Sequence, residues 1–210
     1  MHFHPRPNEH GQPHPIATPH SPTPLDTWAD PEAIATAVPD GPMPVAIGNL
    51  ALSHAQLPED VSGLEALAAA CDFDEPAFAP NAHLKASAGA VVLEEDGRIW
   101  LMSPSNGFGG YANTFPKGRQ DPGLSLRATA IKEVFEETGL LIRLTGFLLD
   151  QDRSITRCRY YLARRVTGNP ADMGWEAQAV HLVPRARLAA MAAHVRDASI
   201  VAAVLAHTGA

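Results

Sequence analysis

Segment 125–139 constrains the fold of this chain most strongly, because it combines the signals for both ends of a helix with a one-sided apolar pattern. Ser125 is suited to cap the first turn, and Gly139 to end the helix in a left-handed conformation. Side chains that can be buried recur between them at helical spacing: Ile131, Val134, Phe135 and Thr138. The pattern predicts a helix over 126–138 with one face on a core.

The other side of this helix carries three carboxylates, Glu133, Glu136 and Glu137. Like charges at these spacings destabilise an isolated helix by about 0.2–0.5 kcal/mol per pair. They also lie in the last two turns, where the helix dipole disfavours each acid by about 0.3–1 kcal/mol. A solvated acidic face is the simpler interpretation, but breaking two local rules at once is typical of a functional site. Because Mg²⁺ binds carboxylates, the pattern favours a divalent-metal site.

The stretch 118–140, GRQDPGLSLRATAIKEVFEETGL, resembles the Nudix box. The positions that agree with the family pattern are Gly118, Glu133, Val134, Glu136, Glu137, Gly139 and Leu140. Two positions depart from it: Leu124 stands where the family has Glu, and Lys132 where it has Arg. The elements expected from about 84 to 207 are similar in order to a whole Nudix domain.

The resemblance implies an α/β fold, a Nudix-type α/β/α sandwich with a mixed sheet, preceded here by an N-terminal extension. It also implies hydrolysis of a nucleoside diphosphate linked to another group, with Mg²⁺ or Mn²⁺ as cofactor. The metal ligands carried over are Glu133, Glu136, Glu137, the carbonyl of Gly118 and, on weaker grounds, Glu176. The general base is Glu133 or Glu137, and we favour Glu133.

The residues just before the box bear on the substrate. The sequence TFPKGR at 114–119 resembles Nudix subfamilies that act on dinucleoside polyphosphates, diphosphoinositol polyphosphates and capped RNA ends. Lys117 and Arg119 are expected to bind phosphates. Arg157 and Arg159 share one face of a predicted strand and would extend this phosphate site, although a solvated strand face explains the pair equally well.

An aromatic side chain in the glycine-rich loop 103–113 completes the candidate substrate site. Tyr111 would stack on a base, although aromatic residues more often serve in ordinary packing. The expected partner is a small phosphorylated molecule, and a capped or triphosphorylated RNA end remains open. The oligomeric state is left open, with a homodimer as one option.

Composition divides the 210 residues into three parts. Residues 1–24 hold seven of the 19 prolines and five of the ten histidines, which predicts a disordered tail. Residues 25–83 are predicted to form an acidic accessory segment with short helices at 31–38 and 61–71. The Nudix domain is expected at 84–210.

Charge and cysteine content limit the cellular setting. Residues 1–80 carry eleven acids and one base, whereas residues 81–210 carry twelve acids and fifteen bases. This weak positive balance suits a small phosphorylated ligand and is too low for general nucleic-acid binding. Two distant cysteines and the lack of a long apolar run favour a reduced cytoplasmic protein without a membrane span.

Two other functions compete with hydrolysis. One is a non-catalytic Nudix-fold module that binds a nucleotide or a protein, with Leu124 and Lys132 as signs of decay. The other is a scaffold whose acidic N-terminal segment recruits a basic partner. Only a hydrolase uses all three helix carboxylates, so the sequence favours a metal-dependent pyrophosphohydrolase.

Overall fold

The computed structural model of the chain describes residues 1–207; the last three residues of the predicted domain 84–210 lie outside them. The strands are β1 (His2–Phe3), β2 (Pro15–Ile16), β3 (Ala35–Ala37), β4 (Ala46–Ile47), β5 (Leu50–Ala51), β6 (Lys85–Leu93), β7 (Ile99–Pro104), β8 (Lys117–Arg119), β9 (Leu140–Asp152), β10 (Thr156–Gly168) and β11 (Ala177–Val183). The α-helices are α1 (Val61–Ala69), α2 (Leu126–Thr138), α3 (Leu188–Met191) and α4 (Ala198–Ala206).

A mixed sheet of seven strands forms the centre of the molecule. Six strands follow the order β3-β11-β7-β6-β10-β9, and β8 pairs with β6 outside this path. β10 runs parallel to β6, and the other pairings are antiparallel. The β8 pairing sets Gly118 opposite Ala88. It thereby fixes the start of the box against the sheet.

Helices cover both faces of this sheet, which confirms the predicted α/β/α sandwich. On one face, Ile131 and Val134 of α2 pack in a core with Val92 and Trp100. On the other face, α3 and α4 pack on a second core that includes Leu101. Each fully buried apolar side chain contributes about 1.5–3 kcal/mol relative to its exposed state. These two cores therefore offset the unfavourable charges on α2.

Helix α2 begins and ends where its capping residues predict. The Ser125 hydroxyl accepts a hydrogen bond from the Ala128 amide, and Gly139 has a φ of 70° at the other end. A side chain at Gly139 would also collide with the Asn169 carbonyl. The caps and the apolar side of the helix thus fix where its carboxylates lie.

The accessory segment is part of the domain rather than an appendage. Trp28 is buried, and its ring lies 6.0 Å from that of Trp100. The helix predicted at 61–71 is present as α1, and it packs against α2. The predicted helix at 31–38 is wrong: residues of this stretch form β3, which extends the central sheet beside β11. Hydrogen bonding to the edge strand β11 stabilises a strand here by more than the weak local pattern stabilises a helix.

The structure also differs from the disordered tail expected for residues 1–24. β1 and β2 pair, and Arg6 makes ion pairs with Asp40 and Asp172 at 3.3 and 3.2 Å. These contacts use hydrogen bonds and charge rather than apolar burial, so composition did not predict them. In the part of the chain that is described, no helix is long and apolar enough to cross a membrane.

Candidate metal centre

Three carboxylates meet at one end of α2. Glu133 and Glu137 lie one turn apart on the helix, and Glu176 lies in the turn before β11. Each offers an oxygen, and these three oxygens all lie within 4.8 Å of one another. Glu133 and Glu137 are only 8% and 5% exposed, whereas Glu176 is exposed. The cluster therefore has a buried side and an open side.

Backbone hydrogen bonds fix the turn that carries Glu176. The Gly174 amide donates to the Glu136 carbonyl at 2.7 Å, which ties the turn to the end of α2. The Glu176 carbonyl accepts from the Ser105 amide at 2.8 Å, which ties it to the residue after β7. The third carboxylate thus depends on contacts between segments far apart in sequence.

The β8 strand closes the buried side of the cluster. The Glu133 carboxylate occupies the space in which a β-carbon at position 118 would lie, so any side chain there would collide with it. The Lys117 amide donates to the Glu137 carboxylate at 2.7 Å, and the Lys117 ammonium lies 4.0 Å from the same group. Gly118 is therefore required sterically, and Glu137 is held in place.

The cluster is electrostatically unfavourable without a bound cation. Burial, followed by repulsion from Glu137, raises the pKa of Glu133 to about 8. Burial also raises the pKa of Glu137 to about 7, although the Lys117 ammonium opposes the change. Desolvation of its carboxylate raises the pKa of Glu176 as well, although the residue as a whole is exposed. Converging carboxylate oxygens are the donors that Mg²⁺ and Mn²⁺ prefer, so the residues present fit such an ion.

A family model for the NUDIX domain matches residues 83–204. The chain belongs to the NUDIX family. It is 31% identical over 109 residues to proteins named RNA pyrophosphohydrolase from two strains of Caulobacter vibrioides. That match covers 51% of this chain and 56% of each relative, so the chain spans just over half the length of these relatives.

Solved structures with the same type of domain are also similar. A MutT structure from work on Aliivibrio salmonicida and Vibrio cholerae is 20% identical, with a TM-score of 0.48, over 59% of this chain and 97% of its own. A Caenorhabditis elegans Ap4A hydrolase is 21% identical, with a TM-score of 0.47, over 56% of this chain and 92% of its own.

The remaining helix carboxylate of the Nudix box, Glu136, lies apart from the cluster. Its carboxylate is half exposed and pairs with the Lys132 ammonium at 2.8 Å, one turn back on α2. The three-carboxylate cluster is formed by Glu133, Glu137 and Glu176. The role of Glu136 as a ligand therefore stays a prediction.

The two departures from the Nudix box have a structural explanation. Leu124 is 5% exposed and joins the core under the box loop. Lys132 pairs with Asp121 of that loop at 3.1 Å, as well as with Glu136. Burial lowers the pKa of Lys132, but its two hydrogen-bonded carboxylates outweigh this effect and raise it. The loop is thus held to the helix by a Lys–Asp pair and an apolar contact.

Three predicted substrate residues lie near the Nudix box in sequence, and the structure places them in different surroundings. Lys117 is half-buried beside Glu137, while Arg119 at the end of β8 is exposed. Tyr111 is half-buried; its ring lies 4.0 Å from that of His194, and its hydroxyl accepts a hydrogen bond from Arg153 at 2.8 Å. Lys117 is therefore the predicted cation that lies against the carboxylates.

Arg157 and Arg159 lie under the accessory segment. Arg159 makes a two-pronged pair with Asp150 at 2.7 and 2.8 Å and a further ion pair with Glu75 at 3.2 Å. Arg157 pairs with Asp152 at 2.7 Å, and both guanidinium groups lie near the Phe78 ring. The structure does not bring these two arginines together with the carboxylates.

Sequence reasoning missed a buried cation, Arg153. The Arg153 guanidinium donates to Tyr111, to Tyr160 and to Asp197 at 2.8, 2.6 and 2.6 Å. Glu137 raises the pKa of Lys117, and repulsion from the Arg153 guanidinium opposes this rise. No local motif marks Arg153, because its partners Tyr111 and Asp197 lie 42 and 44 positions away in the chain.

Proposed function

We propose that this Nudix protein is a metal-dependent pyrophosphohydrolase that cleaves a diphosphate linkage in a nucleoside diphosphate derivative. The observation that carries the proposal is the convergence of three carboxylate oxygens within 4.8 Å. Two of these groups are buried against one another at a cost in stability, and a cation would offset that cost.

Glu133, Glu137 and Glu176 would hold Mg²⁺ or Mn²⁺. When bound, the ion would neutralise phosphate oxygens and lower the pKa of a water molecule. Glu136 is proposed as an additional ligand, since it lies one turn from Glu133 and has only a solvent-side pairing with Lys132. The Gly118 carbonyl keeps its proposed role, because Gly118 lies against the Glu133 carboxylate.

We assign the general base to Glu133. Of the two candidate bases, Glu133 has the pKa that is raised further, to about 8, so its carboxylate has the higher affinity for a proton. Glu137 has a pKa of about 7, but the Lys117 amide and ammonium both stabilise its charged form. Glu133 is therefore suited to take the proton from the attacking water, and Glu137 to keep its charge.

The proposed substrate is a nucleoside or dinucleoside polyphosphate, or a similar polyphosphorylated compound. Lys117 would bind its phosphates beside the carboxylates, and the exposed Arg119 would reach phosphates further out. The rings of Tyr111 and His194 already lie against one another, with centroids 4.0 Å apart, and would offer an aromatic surface to a base. The name RNA pyrophosphohydrolase of the Caulobacter relatives supports adding a triphosphorylated RNA 5′ end to this substrate class.

A screen of phosphate release with Mg²⁺ or Mn²⁺ tests the proposal. The panel contains nucleoside and dinucleoside polyphosphates, ADP-ribose, NADH, inositol pyrophosphates and a 5′-triphosphorylated RNA oligonucleotide. We expect metal-dependent turnover on a polyphosphate substrate. Glu137→Gln and Glu136→Gln should each lower this turnover by at least about a hundredfold, because each loses a charge that stabilises the metal.

The matched control is Glu95→Gln, since Glu95 is an exposed acid in the turn between β6 and β7. This variant should keep wild-type turnover. Near wild-type activity of Glu137→Gln at saturating metal would refute the ligand set. An inert wild-type protein on every substrate would support the non-catalytic module instead.

A further inference from the structure

The turn 174–177 holds the least protected ligand of the proposed metal site. Glu133 and Glu137 are fixed by α2, but Glu176 projects from a turn and is exposed. A metal ligand on a turn depends on surrounding contacts to keep its direction. The contacts of this turn therefore bear on metal affinity.

The N-terminal hairpin, residues 2–16, lies against this turn. The imidazole of His14 packs edge-on against the indole of Trp175, with ring centroids 5.1 Å apart. Trp175 is the neighbour of Glu176 in the chain. The contact thus reaches the residue that directly precedes the third carboxylate.

Asn106 and Arg6 fix the hairpin on either side of that contact. The Asn106 side chain donates to the Pro15 carbonyl at 2.9 Å and accepts from the Ala17 amide at 2.8 Å. Asn106 follows Ser105, whose amide holds the Glu176 carbonyl. The Arg6 guanidinium donates to the Ala171 carbonyl and to Asp172 at 3.3 and 3.2 Å. The hairpin is therefore bound both to the residues that precede the turn 174–177 and to Asn106, next to the residue that holds the Glu176 carbonyl.

We propose that the N-terminal hairpin positions Glu176 for metal binding and that His14 is its main positioning residue. The proposal rests on the metal site proposed above. The Nε2 atom of His14 is buried and has no hydrogen-bond partner within the described residues. The ring therefore acts through its packing on Trp175, and a phenylalanine would preserve that packing.

Mn²⁺ affinity of the full-length chain, measured by electron paramagnetic resonance of free Mn²⁺, tests this role without relying on activity. We expect His14→Ala to weaken Mn²⁺ binding by about three- to tenfold, and His14→Phe to restore it. Asn106→Gly should weaken it similarly, because it removes both side-chain bonds to the hairpin and glycine accepts the φ of 55° there. Melting temperatures identify a variant that fails to fold.

The double variant His14→Ala with Glu176→Gln separates positioning from a general effect. Once Glu176 is neutral, loss of His14 should lower the affinity by less than twofold more. His2→Ala is the matched control, since His2 is an exposed histidine on the same hairpin. It should bind Mn²⁺ as the wild type does.

Three results would overturn the positioning role: unchanged Mn²⁺ affinity in both His14→Ala and Asn106→Gly, unchanged affinity in Glu176→Gln, or fully multiplicative losses in the double variant. Failure of the proposed function has a different signature. In that case Glu133→Gln and Glu137→Gln would also bind Mn²⁺ like the wild type.

Discussion

At the residue scale, the candidate metal centre holds two carboxyl groups in positions that destabilise the folded protein when no cation is bound. Glu133 and Glu137 are buried beside one another, with Glu176 across the gap. Burying like charges together opposes folding unless a cation or a proton compensates. The same groups that suit metal binding should therefore destabilise the metal-free protein.

We expect Glu133→Gln to raise the free energy of unfolding by on the order of 1–2 kcal/mol at about pH 9 in the presence of a chelator, because one buried charge is removed. Urea denaturation measures this. Saturating Mg²⁺ should raise the melting temperature of the wild type but not of the variant. A variant that is less stable than the wild type in chelator would contradict the account.

His181 gives the molecule a separate dependence on pH. Burial, together with the neighbouring His20, lowers the pKa of His181 to about 4. Its ring nitrogens lie 2.9 Å from the Thr36 hydroxyl and 2.8 Å from the Ser103 hydroxyl. Since the pKa in the unfolded chain is about 6.5, the unfolded state binds the proton first. The contribution of neutral His181 to the free energy of unfolding is therefore fully present above pH 6.5 and is lost as the pH falls towards 4.

The expected loss between about pH 6.5 and 4 is at most about 3 kcal/mol, since each pKa unit corresponds to about 1.4 kcal/mol. His181→Gln should flatten this part of the stability profile, whatever its effect at neutral pH. His83→Gln, at an exposed histidine, serves as control and should keep the wild-type slope. Equal slopes in wild type and His181→Gln would rule out the assignment.

At the element scale, the box loop is held to α2 by two contacts of different kinds. The Lys132–Asp121 pair is partly exposed, and such pairs contribute up to about 1 kcal/mol. Leu124 is buried in the core, where loss of a leucine side chain costs about 2–5 kcal/mol. The apolar contact should therefore dominate.

This comparison predicts that Leu124→Ala lowers the free energy of unfolding by at least about 2 kcal/mol, while Asp121→Asn lowers it by less than about 1 kcal/mol. Restoring the family residues as Leu124→Glu with Lys132→Arg should lower stability, because it places a carboxylate in a buried position. Equilibrium denaturation measures all three. Equal costs for Leu124→Ala and Asp121→Asn would contradict this ranking.

The elements that the sequence predicts correctly are those specified locally. Helix α2 follows from Ser125, Gly139 and the apolar spacing between them, and its bounds are confirmed. The stretch 31–38 could not be predicted, because β3 forms only beside β11, more than 130 residues away in sequence. Local patterns carry no information about such a partner.

The candidate site likewise has residues that the local sequence identifies and residues whose surroundings depend on distant parts of the chain. The unfavourable charges on α2 identify Glu133 and Glu137 within one helix, and the structure brings them together with Glu176. The sequence gives no sign that Arg159 is bound by Asp150 and Glu75, since Glu75 is 84 positions away. Spacing along one strand predicts a shared face but not what covers that face.

At the scale of the whole molecule, the N-terminal 80 residues act at two places. Residues 25–80 cover the α2 side of the sheet, where Trp28, Leu64 and Cys71 join the main core. Residues 1–24 before them make hydrogen bonds to the segment 171–178 and pack His14 on Trp175. One part therefore supports the fold, and the other is proposed to support the metal site.

These two roles predict different results for two deletions. Removal of residues 1–24 leaves the main core intact, so the protein should stay folded and monodisperse, with a Tm within a few degrees of wild type and weaker Mn²⁺ binding. Removal of residues 1–80 uncovers the faces of Trp100 and α2 that Trp28 and α1 now bury. The truncated protein should therefore bind a hydrophobic dye, aggregate and lose its cooperative melting transition. Calorimetry, light scattering and dye fluorescence on both proteins measure this difference. The division of roles is wrong if the larger deletion is as soluble and stable as the full chain, or if the smaller one unfolds.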